Sequence, residues 1–182
     1  MKRYTVPELK SLVGRYKDFP VKGINFFDLN PLLYNPNARS SIIADFAKNM
    51  PVSDNTVIAA PEARGFIWGS MLAHTLSVPF IPIRKKGKLP GNLAVHSYNL
   101  EYGSGELFIQ SARHLPGFKK GTGVIIVDDV LATGGTAMAC AELVQKIGGK
   151  VAAFYFVLGI ADLKGADALK DYSAVIRTTL QF

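Results

Sequence analysis

The hydrophobic positions of the chain form short continuous runs that alternate with segments of helical spacing. The runs predict strands over Thr56–Ala60, Val78–Ile83, Val124–Val127 and Val151–Leu158, and they indicate a fifth strand over 174–176. Helical patterns follow the first and third runs, at Phe66–His74 and Thr136–Ile147. Continuous Val/Ile runs alternating with helices are typical of a parallel sheet covered on both faces. The sequence therefore predicts an α/β fold with helices flanking a parallel sheet.

Two segments do not follow this alternation. Between the second and third strands, Leu89–Thr122 alternates polar and apolar residues around Glu106–Gln110, which predicts a hairpin or a mobile flap at about 92–112. The N-terminal segment that carries Gly23–Asp28 is predicted to fold over the core as a hood. We therefore divide the chain into a hood segment, 1–35, and a core, 36–182, that includes the flap.

Composition favours one cytoplasmic domain. The 182 residues are 48% hydrophobic, and no Pro/Gly/Ser-rich linker divides them. No apolar stretch approaches the roughly 18 to 20 residues of a membrane span, and no apolar region follows the first basic residues as in a secretory signal. The single cysteine, Cys140, excludes an internal disulfide framework and is predicted to be buried in a helix. The three histidines, His74, His96 and His114, lack metal-ligand spacing.

The net charge of +7 needs an anionic partner or another explanation, and the densest cluster of basic residues is Arg84–Lys88. Such a cluster can bind nucleic acid, a membrane surface or a polyphosphate ligand, or it can be a solvated loop. Interleaved aromatic residues or a recognition helix would favour nucleic acid, and neither is evident near the cluster.

The chemistry is concentrated where the predicted strands end. Parallel α/β sheets bind ligands at the carboxyl ends of their strands. The segments richest in residues that can bind a ligand or catalyse a reaction follow these strands, at 61–65, 84–91 and 128–136. Their shared position predicts an active site at this edge.

The strongest signal is the string Val124–Thr136. A buried strand leads to two carboxylates, and a loop of small residues then opens a helix. Gly134 and Gly135 allow backbone N–H groups to approach an oxyanion, while Thr133 and Thr136 add hydroxyl donors. A dianionic phosphate fits this arrangement. A turn without a ligand is the alternative, and neither a Walker A loop nor a dinucleotide fingerprint is present.

Asp128 and Asp129 would repel a phosphate in the loop. They suit ribose hydroxyls, a magnesium ion or positive charge that develops at a ribose C1′ nearby.

These residues resemble the phosphoribosyl pyrophosphate signature of the type I phosphoribosyltransferases. Further segments resemble the adenine phosphoribosyltransferases in order and spacing: Ala63–Gly69, Ile83–Gly91, Tyr98–Gly103, and Asp18–Pro20 with Gly23, Phe26, Asp28 and Pro31. The resemblance covers essentially the whole chain. It implies a type I phosphoribosyltransferase-like fold and purine salvage, in which adenine and phosphoribosyl pyrophosphate give AMP and pyrophosphate.

The resemblance also implies roles for the charged segments. The pyrophosphate would be bound by Arg64, Arg84, Lys85 and Lys88, some of them from the neighbouring subunit of a homodimer. The substrate phosphate would be bound by Ala132, Thr133, Gly134, Gly135 and Thr136. Asp128 and Asp129 would contact the ribose and hold Mg²⁺ indirectly, through substrate or water. A cis peptide is expected at Glu62–Ala63, before the arginine.

The base would be bound by the hood and the flap. The resemblance implies that Phe26 stacks on the purine, that the backbone at Asn25 reads its edge, and that Phe27 lies in the same site. Glu101 would handle a proton on the imidazole ring, and Tyr102 would gate the site and bind phosphoribosyl pyrophosphate. Phe27 stands where the adenine enzymes usually have arginine, which leaves hypoxanthine or guanine as alternative bases. A phosphoribosyl-pyrophosphate-sensing regulator is the alternative from another class. We expect no nucleic acid and no membrane partner.

Overall fold

The computed structural model of the chain describes residues 2–100 and 103–182, so Glu101 and Tyr102 lie outside the described residues. The helices in chain order are α1 (Val6–Leu12), α2 (Asn30–Tyr34), α3 (Pro36–Asn49), α4 (Arg64–Leu76), α5 (Gly135–Lys146) and α6 (Gly165–Ala168). The strands are β1 (Gly14–Lys17), β2 (Asn25–Asp28), β3 (Thr56–Pro61), β4 (Phe80–Lys85), β5 (Leu93–Leu100), β6 (Gly103–Gln110), β7 (Gly123–Leu131), β8 (Lys150–Gly159) and β9 (Ile176–Gln181). Short 3-10 helices lie at Ala112–His114 and Ala161–Leu163.

In the described part of the chain, seven strands form the central sheet in the order β5-β6-β4-β3-β7-β8-β9. The neighbours from β4 to β9 are parallel, which confirms the predicted parallel core. The predicted hairpin is β5 and β6, and it extends the sheet in antiparallel orientation through the pair Arg84↔Phe108. Helices flank both faces of the parallel strands, so the α/β prediction is confirmed.

Strand β8 shows why the apolar runs are continuous. Tyr155 and Val157 belong to a buried cluster under α1 to α4, whereas Phe154 and Phe156 belong to a second cluster under α5. Successive side chains of a strand point to opposite faces, and here both faces are covered. The positions of β8 from Val151 to Leu158 are therefore all apolar.

The acidic string differs from its prediction in one respect. β7 was predicted to end at Val127, but it continues to Leu131, because Val130 and Leu131 pair with Leu158 and Gly159 of β8. The two aspartates interrupt the apolar run without ending the strand. They consequently lie within β7, not after it, and the sheet fixes their backbone.

The first residues form a small separate sheet. β1 and β2 pair antiparallel, with Gly14↔Asp28 and Arg15↔Phe27 among the partners. The turn between them is closed by Asp18, whose Oδ1 accepts a hydrogen bond from the Gly23 N–H at 2.7 Å. The division into a hood and a core stays a prediction.

Two further observations concern the single cysteine and the search for membrane-spanning helices. Cys140 is buried in α5 as predicted, and burial raises the pKa of its thiol well above the usual value. Within 2–100 and 103–182, none of the helices combines the length and the apolar character that crossing a membrane requires.

Candidate active site

The predicted phosphate loop joins the end of β7 to the start of α5. Gly134 caps this helix with φ +91°, a left-handed conformation that glycine adopts without steric cost. The first backbone N–H groups of a helix have no acceptor within it, and the helix dipole places partial positive charge there. The loop Ala132–Gly134 therefore presents donors that suit a phosphate.

The loop is supported from behind by a residue that sequence reasoning missed, Gly165. A Cβ at Gly165 would lie 2.1 Å from the carbonyl oxygen of Ala132 and 3.0 Å from the amide nitrogen of Gly134. A Cβ at Gly134 would in turn lie 2.9 Å from the carbonyl oxygen of Gly165. The two backbones are thus in direct contact. In the sequence Gly165 is a single glycine outside the predicted elements, and nothing in the surrounding residues indicates what it touches.

The two aspartates lie side by side at the edge of the loop. Asp129 is only 4% exposed, and its backbone N–H donates to Oδ1 of Asp128 at 2.8 Å. Burial, together with the charge of Asp129, raises the pKa of Asp128 well above its usual value. Burial also raises the pKa of Asp129, against the opposing charge of Arg64. The pair is held where ionised carboxylates need a compensating positive charge.

Arg64 supplies part of that charge. It is the first residue of α4, and its Nε lies 2.6 Å from Oδ2 of Asp129. The contact is an ion pair without hydrogen-bond alignment, so this buried oxygen is compensated by charge but has no aligned donor among the described residues. The expected cis peptide at Glu62–Ala63 is present directly before Arg64. At Gly65, a Cβ would lie 2.8 Å from Oδ1 of Asp128, so only glycine lets α4 begin this close to the carboxylate.

The second basic segment also faces a carboxylate. Arg84 Nε donates to Oε2 of Glu62 at 3.0 Å, and the Lys85 backbone N–H donates to the same oxygen at 3.0 Å. Both hydrogen bonds lower the pKa of Glu62, and the bond from Arg84 has the larger effect. β4 runs to Lys85, so Arg84 and Lys85 belong to the strand and only Lys88 follows it. The side chain of Lys88 is exposed.

The residues predicted to bind a base divide between two faces of β2. The ring of Phe26 packs edge-on against Phe19, with centroids 5.2 Å apart. The ring of Phe27 packs instead against Phe182, at 4.9 Å. Neighbouring residues of a strand point to opposite sides, so both rings cannot stack on one base. Asn25 is exposed. A base-binding role for any of them stays a prediction.

The structure thus places the ends of β4, β3 and β7 side by side at one edge of the sheet. It brings Arg64 into contact with Asp129, and it links Arg84 and Lys85 to Glu62. The predicted proton-transfer residue Glu101 and its neighbour Tyr102 lie outside the described residues. Among the residues described, no group of three or more His, Cys, Asp or Glu side chains could by itself hold a metal ion.

Comparison with known proteins agrees with this geometry. The family model of the phosphoribosyl transferase domain matches residues 33–181. The adenine phosphoribosyltransferase of Methanococcus maripaludis strain C7 is 44% identical over 165 residues, which are 91% of this chain and 94% of that protein. The enzyme of the same name from Pseudothermotoga lettingae is 45% identical over 175 residues, 96% of this chain and 99% of that protein.

Solved structures give the same result. The crystal structure of adenine phosphoribosyltransferase from Thermoanaerobacter pseudethanolicus has a TM-score of 0.89 at 40% identity, covering 98% of this chain and 100% of that chain. The Saccharomyces cerevisiae enzyme, crystallised with an imino-altritol bisphosphate and adenine, has a TM-score of 0.84 at 36% identity, covering 96% and 98%.

Proposed function

The chain belongs to the phosphoribosyl transferase family, and on that premise we propose that it transfers the phosphoribosyl group of phosphoribosyl pyrophosphate to adenine. The products are AMP and pyrophosphate, so the activity is purine salvage. The observation that carries the proposal is the buried aspartate pair beside a helix-capping phosphate loop. Relatives that match nearly the whole chain are named adenine phosphoribosyltransferases, which supports the choice of base.

Binding starts at the phosphate loop. The N–H groups of Gly134 and Gly135 and the hydroxyls of Thr133 and Thr136 would receive the 5′-phosphate, where the helix dipole favours negative charge. Ala132 contributes backbone to the same loop. The buried Oδ2 of Asp129 is compensated by the charge of Arg64. A carboxylate oxygen can accept more than one donor, so a ribose hydroxyl would add a hydrogen bond beside this ion pair.

The aspartates act on the reacting carbon by charge. Displacement of pyrophosphate leaves positive charge at C1′ in the transition state, and the adjacent carboxylates of Asp128 and Asp129 stabilise it. Such stabilisation is large in a buried site, because the carboxylates are already held in place and little water screens them. No covalent intermediate with the protein is needed.

The basic residues receive the leaving group. Arg64, Arg84, Lys85 and Lys88 would neutralise the pyrophosphate, and each arginine can grip two of its oxygens. In the structure Arg64 faces Asp129 and Arg84 faces Glu62. Pyrophosphate binding therefore exchanges each of these ion pairs, at least in part, for contacts with substrate.

Magnesium fits this site as a companion of the substrate. The donors near the loop are two carboxylates, which suit Mg²⁺ when phosphate oxygens and water complete its shell. Asp128 and Asp129 would hold the ion through water or substrate. When bound, it neutralises charge on the departing pyrophosphate.

The base is placed between hood and flap in this proposal. Phe26 stacks on adenine, the Asn25 backbone reads its edge, and Phe27 lies in the hood beside them. Glu101 exchanges a proton with the imidazole ring while Tyr102 closes over phosphoribosyl pyrophosphate. Excluding water in this way strengthens the electrostatic contacts.

A panel of bases tests the proposal. Purified protein is incubated with phosphoribosyl pyrophosphate, Mg²⁺ and either adenine, hypoxanthine or guanine, and nucleotide formation is measured; omission of Mg²⁺ is the control. We expect AMP to form with the highest kcat/KM. Hypoxanthine or guanine turning over about tenfold better than adenine would overturn the base and spare the reaction type. Turnover with no base, despite binding of phosphoribosyl pyrophosphate, would favour a sensor.

The protein is further proposed to act as a cytoplasmic homodimer, with Arg84 or Lys85 reaching the partner's site. Arg84→Ala and Asp129→Asn proteins, each with strongly reduced activity, would then regain activity together after dissociation and mixing. Verified heterodimers without activity would place the basic segment in its own subunit's site. The one buried cysteine suits a reducing compartment.

A further inference from the structure

Phe182 connects the hood to the core by three side-chain contacts. Its ring lies 4.9 Å from the ring of Phe27 in β2. The Arg15 guanidinium of β1 lies 4.7 Å from the centre of the Phe182 ring, and Lys10 Nζ of α1 lies 5.0 Å from it. We call these four residues the hood clasp. Aromatic and cation–ring contacts of this kind are attractive beyond simple burial.

The backbone of Phe182 is tied to the end of the sheet near the phosphate loop. Its N–H donates to the carbonyl of Gly159 at 2.9 Å, and its carbonyl accepts from Ala161 at 2.7 Å. Gly159 pairs with Leu131 across β7 and β8, and Leu131 immediately precedes the phosphate loop. A short rigid path therefore runs from the clasp to the loop.

On the hood side, the clasp contacts only the face of β2 that carries Phe27. Phe27 faces Phe182, so the alternation of the strand turns Phe26 the opposite way, towards Phe19. Holding Phe27 thereby fixes the orientation of Phe26 and of the backbone at Asn25, the groups assigned to the base.

We propose that Phe182 and Phe27 are positioning residues that set the separation between the base site in the hood and the phosphate loop. The contacts of the hood clasp lie within the chain and do not depend on the proposed function. Only the expected effect on substrate binding rests on that function. It also gives Phe27 a role that requires no contact with the base. Having Phe27 where the adenine enzymes usually have arginine would then alter the packing of the hood and leave unchanged which purine the backbone recognises.

The mechanical part is tested by hydrogen exchange of the hood amides, in β1 and β2, with no nucleotide added. Phe182→Leu keeps an apolar side chain but removes the ring, and we expect faster exchange in the hood while the sheet is unchanged. Phe182→Tyr keeps the ring and should restore protection. The matched control is Phe118→Leu, which removes another partly buried ring, one that packs against the cluster under α5.

The consequence for substrate is tested by calorimetry with two ligands. AMP spans both halves of the site, whereas ribose 5-phosphate occupies only the phosphate half. For Phe182→Leu and Phe27→Leu we expect AMP affinity to fall about tenfold, the size of one aromatic contact. Ribose 5-phosphate affinity should stay within about twofold of that of the unaltered protein, and the KM for adenine should rise more than the KM for phosphoribosyl pyrophosphate.

The exchange and binding experiments test separate parts of the proposal. Unchanged hood exchange in Phe182→Leu would overturn the clasp. Faster hood exchange with AMP and ribose 5-phosphate affected equally would overturn its role in spacing the two half-sites. If the unaltered protein fails to bind AMP, the proposed function falls, while the exchange experiment still decides whether the clasp holds the hood.

Discussion

A single methyl group added at Gly165 should displace the phosphate loop and weaken binding of the substrate phosphate. In Gly165→Ala, the new Cβ would lie 2.1 Å from the carbonyl oxygen of Ala132. The φ of Gly165 is outside the left-handed region, so alanine can adopt the backbone conformation without strain. The effect of the substitution is therefore steric, and its target is backbone that cannot rotate away as a flexible side chain would.

The distance sets the size of the effect. A Cβ and a carbonyl oxygen approach no closer than about 3 Å, so the loop or α6 must move by about 1 Å. A misplacement of about 1 Å can cost on the order of 10²-fold in catalysis. We expect kcat/KM for phosphoribosyl pyrophosphate to fall by about that factor. Overpacking should also lower the free energy of unfolding by about 1–3 kcal/mol.

Gly149→Ala provides a matched control. Its Cβ would lie 2.9 Å from Val144 Cγ1 and 3.0 Å from Phe118 Cζ, again with φ outside the left-handed region. The site lies beyond the far end of α5, whose 12 residues span about 18 Å. We expect some loss of stability in this variant and no loss of phosphate affinity.

The assay combines steady-state kinetics, calorimetry with ribose 5-phosphate and thermal unfolding of both variants. At temperatures where both variants are folded, we expect weaker ribose 5-phosphate binding only in Gly165→Ala. If Gly165→Ala keeps kcat/KM within about twofold of the unaltered protein, the contact does not position the loop. If both variants lose ribose 5-phosphate affinity equally, the effect is general destabilisation.

Three other substitutions test the site and its surroundings. Asp129→Asn should lower kcat by about 10²-fold at saturating substrate, because a preorganised charge beside C1′ is lost; near-normal kcat would make the pair structural. Glu101→Gln should lower kcat by about 10²- to 10⁴-fold and leave calorimetric binding of phosphoribosyl pyrophosphate nearly intact; mainly weaker binding would contradict its place over the base. Hydrogen bonds, the largest from the Thr5 backbone, lower the pKa of Glu8 from 4.5 to about 2. Glu8 forms a capping box with Thr5 at the start of α1. Because its pKa is lowered, the ionised carboxylate stabilises the fold above about pH 4.5, so Glu8→Gln should lower Tm at neutral pH, and the difference should shrink as the pH falls from 4.5 towards about 2. A Tm difference that does not depend on pH would refute the contribution of the carboxylate charge.

Local pattern was enough to predict the parallel core and the start of a helix after the glycines that follow β7. Strands buried on both faces need apolar side chains at every position, which leaves a continuous run in the sequence. A loop that receives a phosphate at a helix start needs small residues and hydroxyls in consecutive positions. Both requirements fall on neighbouring residues, so 56–60 was identified as a strand, and 132–136 was predicted as a phosphate loop, without knowledge of the fold.

The length of β7 needed its partner strand. Asp128 and Asp129 break the apolar run, and sequence reasoning accordingly ended the strand at Val127. Pairing with β8 extends the strand to Leu131, because ladder hydrogen bonds involve the backbone and are indifferent to the side chain's polarity.

Tertiary structure alone decided which groups face one another. The ion pair of Arg64 with Asp129, the contact of Gly165 with Ala132 and the packing of Phe27 on Phe182 each join residues from distant parts of the chain. The residue types in one segment do not indicate which residues of a distant segment they will contact. These contacts arise only when sheet order and helix packing bring the segments together, since core packing is specific at the scale of single methyl groups.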